Sequence, residues 1–560
     1  MALDIGMPCK VVARLVLFAV SSGLLFGVDL GSIGGGLEGM AQELGLTPFE
    51  EEAIVAGCKG GAIFGCLFGG AWMAVYGRKR TMVLAIGPFI LGPGLLGLSR
   101  NFPEALLGRL IVGFGVGATS VASPCYLSEV SSASIRGALV ACYEVAIAFG
   151  FLLASLMSFL LQRGHDERAT TGPSLWRYEV GLVPVLATVP LIVILFALPE
   201  SPRWLLGQTH CDAKVLERSL RSMKTLEIEG AKERVLDIKA WRRSGSDASN
   251  ALAMSASWSE TSVDLMAVWD DHHVAAGSPL MPVVLADEEH GTPKPATPKR
   301  SKEDRPSVRR ILRGIFVDVF QVALGASDVP AGARRGLALA VGAAVLNQAC
   351  ASSSVLEYAQ RMLKDVGIVS LATQNGMATA VAGSKFVGVL AGLAIINRVG
   401  RKPLLGVGGA LCALGLALVS VGSAYRQSEL LLIGMSCFIL VFVATWGIGY
   451  WVVVTEVTAA GGPRYGAAMQ AAATAMLFVS GWLTSFTFVS VTKVGPWALM
   501  GYAVVAVLMA VFAFGPLPET RGLSLEECAA LLAGGKTITS EPSDEDSDSS
   551  SSERRSFVDE

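Results

Sequence analysis

The chain carries little charge and few of the residues that serve soluble chemistry. Only 16% of its 560 residues are Asp, Glu, Lys or Arg, against about 25% in an average soluble domain. Its five histidines and ten cysteines show no metal-ligand spacing such as C-x-x-C. No phosphate-binding glycine loop or Ser/His/Asp group is recognisable, and a net charge of −2 leaves no basic footprint for nucleic acid. These absences argue against an enzyme, a metal site, a cofactor and a nucleic-acid partner.

Long apolar runs take the place of the missing charge. Hydrophobic residues make up 52% of the chain, and the mean hydropathy is +0.53. A helix that crosses a bilayer needs about 20 mainly apolar residues. Twelve runs meet this requirement, near 11–35, 53–75, 81–99, 104–127, 137–161, 179–198, 336–358, 374–396, 403–424, 429–455, 467–491 and 497–516. The sequence therefore predicts an all-α, multi-pass membrane protein with twelve spans.

Basic residues in the short loops predict the orientation of the spans. They follow spans two, four, eight and ten, at Arg78, Lys79, Arg80, Arg136, Arg398, Arg401, Lys402 and Arg464. Because cytosolic loops are enriched in Lys and Arg, we expect this side, both termini and the central loop to be cytosolic. The first loop on the other side is acidic instead, with Glu43 and Glu50 to Glu52. The sequence leaves open whether the membrane is vacuolar, plastid or plasma membrane.

A long polar stretch separates the first six spans from the last six. Within it, 211–240 and 306–324 have the pattern of amphipathic helices, and about 243–305 is rich in Ser, Pro and acidic residues, which is typical of disorder. The predicted parts are an N-terminal six-helix half, a cytosolic central loop, a C-terminal six-helix half and a disordered acidic, Ser-rich tail, at 1–205, 206–335, 336–530 and 531–560.

Two motifs recur at equivalent places in the two sets of six spans. YGRKR at 76–80 ends the second span, and VGRKP at 399–403 ends the eighth. LPESPRWL at 198–205 closes the first set, and LPETRGLSLEE at 517–527 closes the second. This repetition predicts two pseudo-symmetric halves, a design that places substrate near the midplane between them.

Several motifs together resemble the sugar-porter family of the major facilitator superfamily. They are GLLFGVD (23–29), GRLIVGFGVG (108–117), PCYLSEVSSASIRGALV (124–140), PESPRWL (199–205), VGRKPLL (399–405), W-x-x-x-T-E (451–456) and PETRGLSLEE (518–527). Residues WRY (176–178), Glu144 and Lys385 are most similar to the plant and algal vacuolar or plastid glucose porters. The resemblance covers nearly the whole chain except 243–305 and the tail. It implies the major facilitator fold and transport of a hexose or pentose by alternating access, with the monomer as the functional unit.

Asp29 and Arg109 are two charges inside predicted spans. Each lies about six residues from the outer end of its span, so both are roughly 9 Å deep on the same side. Because a lone charge at this depth is costly, we expect the two to pair. The resemblance implies a proton-coupling role, since proton-coupled porters of this family have Asp and Arg at these positions. A facilitator with a static pair, and a sugar sensor that does not transport, are the alternatives.

The resemblance also implies a sugar site in the middle of the membrane. Sugar recognition needs amides and hydroxyls for the sugar's OH groups, and an aromatic face for its C–H side. The positions that match the family's site are Asn347, Gln348 and Ser353 on span seven, Trp451 on span ten and Phe478 on span eleven. Interhelical hydrogen bonding and ordinary packing are the alternative roles of these residues.

Four further charges lie within predicted spans. Glu144 and Lys385 replace a Gln and an Asn that are common in the family, and we count both as substrate-site residues. Their depths from the cytosolic side agree within about 8 Å, which predicts an ion pair across the cavity. A bridge on the packing side of the helices, without contact to sugar, is the alternative. Lys59 and Glu357 fall near the outer ends of their spans. We expect these two side chains to extend to the surface and to have no functional role.

Charged residues at the cytosolic ends of the spans match the family's inner gate. They are Arg78, Glu129, Arg136, Glu200, Arg203, Arg401, Glu456, Arg464, Glu519 and Arg521. Solvated interfacial charges are the alternative. The acidic partners of this gate are missing, because Ala74 and Asn397 stand where the family has Asp. We therefore expect a weakened inner gate and a resting bias toward the inward-facing state.

Glycines recur at intervals of four residues on spans two and four. They are Gly57, Gly61, Gly65, Gly69, Gly113 and Gly117. This spacing bares one face of a helix, so we expect another helix to approach it closely.

Overall fold

The computed structural model describes residues 9–130, 136–166, 175–201, 308–327, 329–396, 398–521 and 525–534, with the single residues 205, 219 and 523. The expected amphipathic helix at 211–240, the expected disorder at about 243–305 and nearly all of the tail lie outside the described residues. Within the described residues, twelve helical segments are long and apolar enough to cross a membrane. This confirms the predicted number of spans.

The N-terminal half consists of six helices. They are α1 (Cys9–Leu44), α2 (Pro48–Tyr76), α3 (Arg78–Leu98), α4 (Phe102–Val130), α5 (Arg136–Asp166) and α6 (Leu175–Ala197). The start of α2 is fixed by a capping box, in which the Thr47 side chain and the Glu50 side chain bond each other's backbone N–H groups. Helices α1 and α2 therefore extend well beyond the apolar runs that predicted them.

The C-terminal half follows α7 (Val308–Leu324), which buries Val322 against Leu337 and Tyr465. Its helices are α8 (Ala333–Ala349), α9 (Ser352–Glu357), α10 (Ala359–Asp365), α11 (Leu371–Ile395), α12 (Arg401–Ala424), α13 (Ser428–Phe442), α14 (Ile448–Thr458), α15 (Gly462–Val494), α16 (Met500–Phe514) and α17 (Leu525–Leu532). Span seven consists of α8 and α9, and span ten of α13 and α14 joined by a π-turn at Val443–Gly447.

The two halves repeat one packing pattern. In the N-terminal half α2 packs on α4, α1 on α5 and α6, and α3 on α4 and α6. The equivalent pairs of the C-terminal half are α11 with α13, α8 with α15 and α16, and α12 with α13 and α16. The halves meet mainly where α2 contacts α15 and α5 contacts α11. This repetition agrees with the predicted pseudo-symmetric pair of six-helix halves.

The repeated glycines lie between α2 and α4. A methyl group on Gly61, Gly65, Gly113 or Gly117 would overlap a backbone carbonyl of the facing helix. The close approach of α2 and α4 thus depends on glycine, as expected from the spacing. Both helices belong to one half, so this contact stiffens the N-terminal half rather than letting the halves slide.

The short loops distinguish the two faces of the helix bundle. One face, called the basic face here, holds the ends of α2 and α11 and residues Arg78, Lys79, Arg401 and Lys402. The opposite face, called the acidic face, holds the end of α1 and the start of α2, with Glu38, Glu43 and Glu50 to Glu52. Helix direction alternates between them at each span.

Candidate functional site

A cavity of about 140 Å³ lies between the two halves. Helices α1, α2, α4 and α5 line it from one side, and α8, α9, α11, α13, α14 and α15 from the other. Aromatic and aliphatic side chains form most of the wall. The polar lining consists of Lys59, Glu144, Asn347, Gln348, Ser352, Ser353, Glu357, Lys385, Tyr450 and Trp451. All seven predicted substrate-site residues line this one cavity, Phe478 included.

Two interruptions in the described spans border the cavity. Span seven breaks between α8 and α9 at Ala351, which has a positive φ of 62°. The break is stabilised locally, because Ser352 Oγ donates to the Asn347 carbonyl at 3.2 Å. The π-turn of span ten contributes Val443 and Gly447 to the lining. Irregular backbone at membrane depth is tolerated where it is buried or lines a cavity, and it is frequent at functional sites.

The polar residues of span seven are hydrogen-bonded to one another. Gln348 Nε2 donates to Asn347 Oδ1 at 3.2 Å, and Ser353 Oγ donates to Gln348 Oε1 at 2.9 Å. Asn347 Nδ2 in turn donates to the Trp446 carbonyl at 3.3 Å. The chain of bonds fixes the orientation of the two amides, so that they face the cavity in defined positions.

The predicted pairing of Asp29 with Arg109 is confirmed. Nη1 of Arg109 lies 3.1 Å from Oδ2 of Asp29, and the side chains are 1% and 3% exposed. Arg109 Nε also donates to the Ile54 carbonyl of α2 at 3.3 Å. The thiol of Cys58, which lines the cavity, lies 3.8 Å from Asp29 Oδ2. The pair therefore lies directly behind the cavity wall and within the N-terminal half.

The expectation that Lys59 and Glu357 extend to the surface is wrong. Both are buried in the cavity wall, and Lys59 Nζ lies 2.8 Å from Glu357 Oε2. Lys59 also donates to the hydroxyls of Ser353 and Ser485. Lys59 is eleven residues from the start of α2, about 16 Å along the helix, which is too deep for its stem to reach the surface. The capping box at Thr47 is the signal that could have revealed this depth.

Glu144 and Lys385 do not form the predicted ion pair as a direct contact, although their charges act on each other through space. Glu144 Oε1 accepts a hydrogen bond from Trp451 Nε1 at 2.6 Å, which joins the two halves. Lys385 Nζ lies over the Phe151 ring, 5.0 Å from its centroid. Similar depth did bring both charges to the same cavity. Depth does not fix rotation about the helix axis, and each side chain has a nearer aromatic partner.

Side chains close the cavity toward the acidic face. Helices α1 and α2 of one half contact α10 and α15 of the other half there. The contacts join Arg361 to Glu51, Lys364 Nζ to Glu38 at 2.5 Å, the Ser490 backbone N–H to Glu52 at 2.7 Å, and the rings of Phe49 and Phe486. Among the described residues, these contacts join the two halves on this side of the cavity. The predicted resting bias toward the inward-facing state stays a prediction.

Glu200 and Glu519 occupy equivalent places at the basic face. The Glu200 carboxylate accepts hydrogen bonds from the first two backbone N–H groups of α3, at 2.8 and 3.1 Å. The Glu519 carboxylate accepts the same two bonds from α12, at 2.9 and 3.1 Å. A carboxylate here satisfies unpaired N–H groups and complements the helix dipole. The repeated Pro-Glu and Gly-Arg-Lys motifs thus meet in each half as a glutamate capping a helix.

The remaining predicted gate residues give a partial picture. Arg401 Nη2 pairs with Glu456 Oε1 at 3.0 Å, and Thr520 Oγ1 donates to the other oxygen of Glu456 at 2.5 Å. The Arg521 backbone N–H donates to Glu519 at 3.0 Å. These contacts lie within the C-terminal half. Four predicted gate residues lie outside the residues or side chains that the structure describes: Glu129, Arg136, Arg203 and Arg464. The same holds for Ala74 and Asn397 of the altered motifs.

Comparisons with known proteins agree with this architecture. The family model for sugar (and other) transporters matches residues 15–266 and 324–532. The probable metabolite transport protein CsbC of Bacillus subtilis is 26% identical over 529 residues, covering 92% of this chain and 93% of its own. Plastidic glucose transporter 4 of Arabidopsis thaliana is 27% identical over 541 residues, covering 95% and 82%.

A solved structure shows a similar fold. The proton:xylose symporter XylE bound to 6-bromo-6-deoxy-D-glucose superposes with a TM-score of 0.64 at 22% identity, covering 93% of this chain and 99% of XylE. Since the family model matches most of the chain, the resemblance seen in the motifs is confirmed. The chain is an integral, multi-pass membrane protein with the major facilitator fold, and it belongs to the family of sugar (and other) transporters.

Proposed function

We propose that this protein carries a monosaccharide across a membrane by alternating access and couples the movement to protons through Asp29. The observation that carries the proposal is the buried pair of Asp29 and Arg109 directly behind the cavity wall. An ionised carboxylate in this position is stable beside the guanidinium. Protonation of Asp29 removes the pair's attraction and frees α1, α2 and α4 to repack around the cavity.

The cavity supports a substrate of one sugar ring. A cavity of roughly 150 Å³ holds a molecule about the size of benzene. This one measures about 140 Å³, so it is no larger than a single sugar ring needs. Asn347, Gln348 and Ser353 offer donors and acceptors for hydroxyl groups, while Trp451 and Phe478 offer apolar faces for C–H groups. Two joined rings would need the halves to separate further.

The contacts between the halves support alternating access. Entry from the acidic face requires the ion pairs of that face to break, together with the pair of Lys59 and Glu357. Exit toward the basic face requires the Trp451 to Glu144 bond to break. The loop charges support a cytosolic basic face, with both termini and the central loop on that side. A single chain holds the complete cavity, which supports a functional monomer.

Transport in proteoliposomes tests the proposal. Full-length protein should accumulate a labelled hexose or pentose against its gradient when the interior is alkaline, and a protonophore should abolish the accumulation. Equilibration without accumulation would support the facilitator instead. Saturable binding without any flux would support a sensor. Uptake measured at two pH values with a panel of sugars would also identify the preferred ring.

A further inference from the structure

Two lysines line the cavity, and their surroundings differ. Lys59 has a full set of partners, because its three donors meet Glu357, Ser353 and Ser485. Lys385 is similarly buried at 9% exposure. Among the described residues, no hydrogen-bond acceptor and no carboxylate lies within bonding distance of Lys385 Nζ. Its only specific contact there is the face of the Phe151 ring.

An unpaired ammonium at this depth is costly. A buried charge is normally paired or hydrogen-bonded, because desolvation in a low-dielectric interior costs several kcal/mol. A cation–π contact offsets only part of that cost, on the order of 1–2 kcal/mol. Lys385 lies in the cavity lining, so its three donors are available to a bound molecule. Glu144 and Glu357 act on the Lys385 charge through space but do not bond it. A neutral sugar would supply hydroxyl acceptors to these donors, whereas a carboxylate would supply a direct, charge-assisted bond.

We infer that the preferred substrate carries a carboxylate that binds Lys385, so that it belongs to the class of hydroxylated monocarboxylates such as sugar acids. This inference rests on the proposed function and specifies its substrate. Lys385 holds the charged end of the molecule. The amides of Asn347 and Gln348 and the hydroxyl of Ser353 bind the neutral hydroxyls.

Glu144 fixes which way such a substrate lies. One oxygen of its carboxylate accepts from Trp451, and the other remains an acceptor on the cavity wall. It attracts hydroxyl donors and repels a second anion, so the substrate's carboxylate must point away from Glu144. The other cavity charges, Lys59 and Glu357, neutralise each other. A molecule with one anionic end and one neutral, hydroxylated end matches this distribution, whereas a dianion does not.

Matched acid and amide probes isolate the charge. D-Glucuronate and D-glucuronamide share ring and hydroxyls and differ in the carboxylate, and D-galacturonate with its amide forms a second pair. Competition against labelled D-glucose uptake in proteoliposomes gives their relative affinities. For the better-bound pair, the acid should bind about 10- to 100-fold more tightly than the amide, the range expected for a charge-assisted hydrogen bond. Lys385→Met should abolish this ratio, while Lys385→Arg should retain most of it.

A thermal measurement separates a binding role from a structural one. Without ligand, Lys385→Met should change the melting temperature little, because it breaks no direct hydrogen bond or ion pair. Lys59→Met is the matched control and should lower it, because it leaves Glu357 unpaired. Equal affinity for acid and amide in the wild type, or a ratio that persists in Lys385→Met, would overturn the inference and leave sugar transport intact. If the protein reconstitutes but transports neither sugars nor sugar acids, the proposed function fails as well.

Discussion

Two ion pairs are buried in the membrane core of the described residues, and they join different parts of the molecule. Asp29 and Arg109 lie on α1 and α4 of the same half, with their atoms 3.1 Å apart. Lys59 and Glu357 lie on α2 and α9 of opposite halves, 2.8 Å apart. When two rigid halves rock against each other, a pair within one half moves as a unit. A pair between halves must break each time the cavity opens toward the acidic face.

The two pairs are nevertheless neighbours through α2. Cys58 contacts Asp29 and the next residue, Lys59, contacts Glu357. Arg109 reaches the same helix at the Ile54 carbonyl. A change of charge at Asp29 therefore acts on the helix that holds the bridge between halves. Under the proposed mechanism the two pairs have separate tasks: Asp29 with Arg109 responds to the proton, and Lys59 with Glu357 holds the halves together.

Substitution of Asp29 tests the first task and should have the largest effect. Asp29→Asn keeps the shape but removes the titrating group, so accumulation driven by a pH gradient should fall to background. Counterflow exchange of labelled for unlabelled sugar should persist, because exchange needs no net proton movement. Both are measured in proteoliposomes with the full-length protein.

The matched control for Asp29→Asn is a variant that keeps a carboxylate at the same position. Asp29→Glu keeps a titratable carboxylate beside Arg109, so it should retain part of the gradient-driven accumulation, reduced by the fit of the longer side chain. Undiminished accumulation by Asp29→Asn would exclude Asp29 as the coupling residue and would make the pair a static one.

Breaking the bridge between halves tests the second task. Lys59→Met alone leaves the buried charge of Glu357 unpaired, and Glu357→Gln alone leaves that of Lys59 unpaired. Breaking a buried pair in this way costs about 3–5 kcal/mol of stability. Both melting temperatures should fall. The double variant Lys59→Met, Glu357→Gln removes both charges and should recover much of the loss. The difference between the double variant and the sum of the single variants measures the pair.

The double variant should also open the acidic face more often. Cys58 is buried in the cavity wall behind this bridge. An impermeant maleimide added from the acidic face should modify Cys58 faster in the double variant than in the wild type, as read from the modified peptide by mass spectrometry. Cys58→Ala serves as the blank. Unchanged labelling would mean that the rim contacts alone hold this face closed.

The sequence was sufficient for the spans and for one of the two pairs. Apolar runs predicted twelve spans, and depth with opposite charge predicted Asp29 with Arg109. The same logic failed for Lys59, because hydropathy places the end of a span where charge begins. Helix α2 continues outward through Glu50 to Glu52, which places Lys59 deeper than the apolar run implies.

The sequence patterns could not predict the rotation of each helix about its axis or the local breaks in the spans. The depths of Glu144 and Lys385 indicated a common level, and both do line the cavity. Which neighbour each one meets depends on packing, and Trp451 and Phe151 are those neighbours. The break in span seven falls at Ala351, where neither Gly nor Pro signals it.

Substitution of the two capping glutamates at the basic face should have a moderate effect on stability, and it tests contacts that lie within one half. Glu200→Gln and Glu519→Gln each remove a charge from a helix N-terminus within one half, which should cost about 0.5–2 kcal/mol of stability. The two variants should lose similar amounts, because the two sites are equivalent. Neither should change Cys58 labelling from the acidic face, since neither contact joins the halves. A large change in labelling would show that these caps influence the movement of the halves after all.

The pair of Lys364 and Glu38 also joins the halves, so it can be compared directly with the pair of Lys59 and Glu357. Its removal should have the smallest effect on Cys58 labelling. Lys364 is 50% exposed, and exposed ion pairs contribute about 0–1 kcal/mol. Lys364→Ala should therefore raise Cys58 labelling only slightly, and the difference should vanish in 1 M salt, where the Debye length falls to about 3 Å. The effect of the Lys59 and Glu357 double variant should survive the same salt, because that pair is buried. If Lys364→Ala matched the double variant, the barrier to opening would lie at the rim, and the bridge in the cavity would be a consequence of closure rather than its cause.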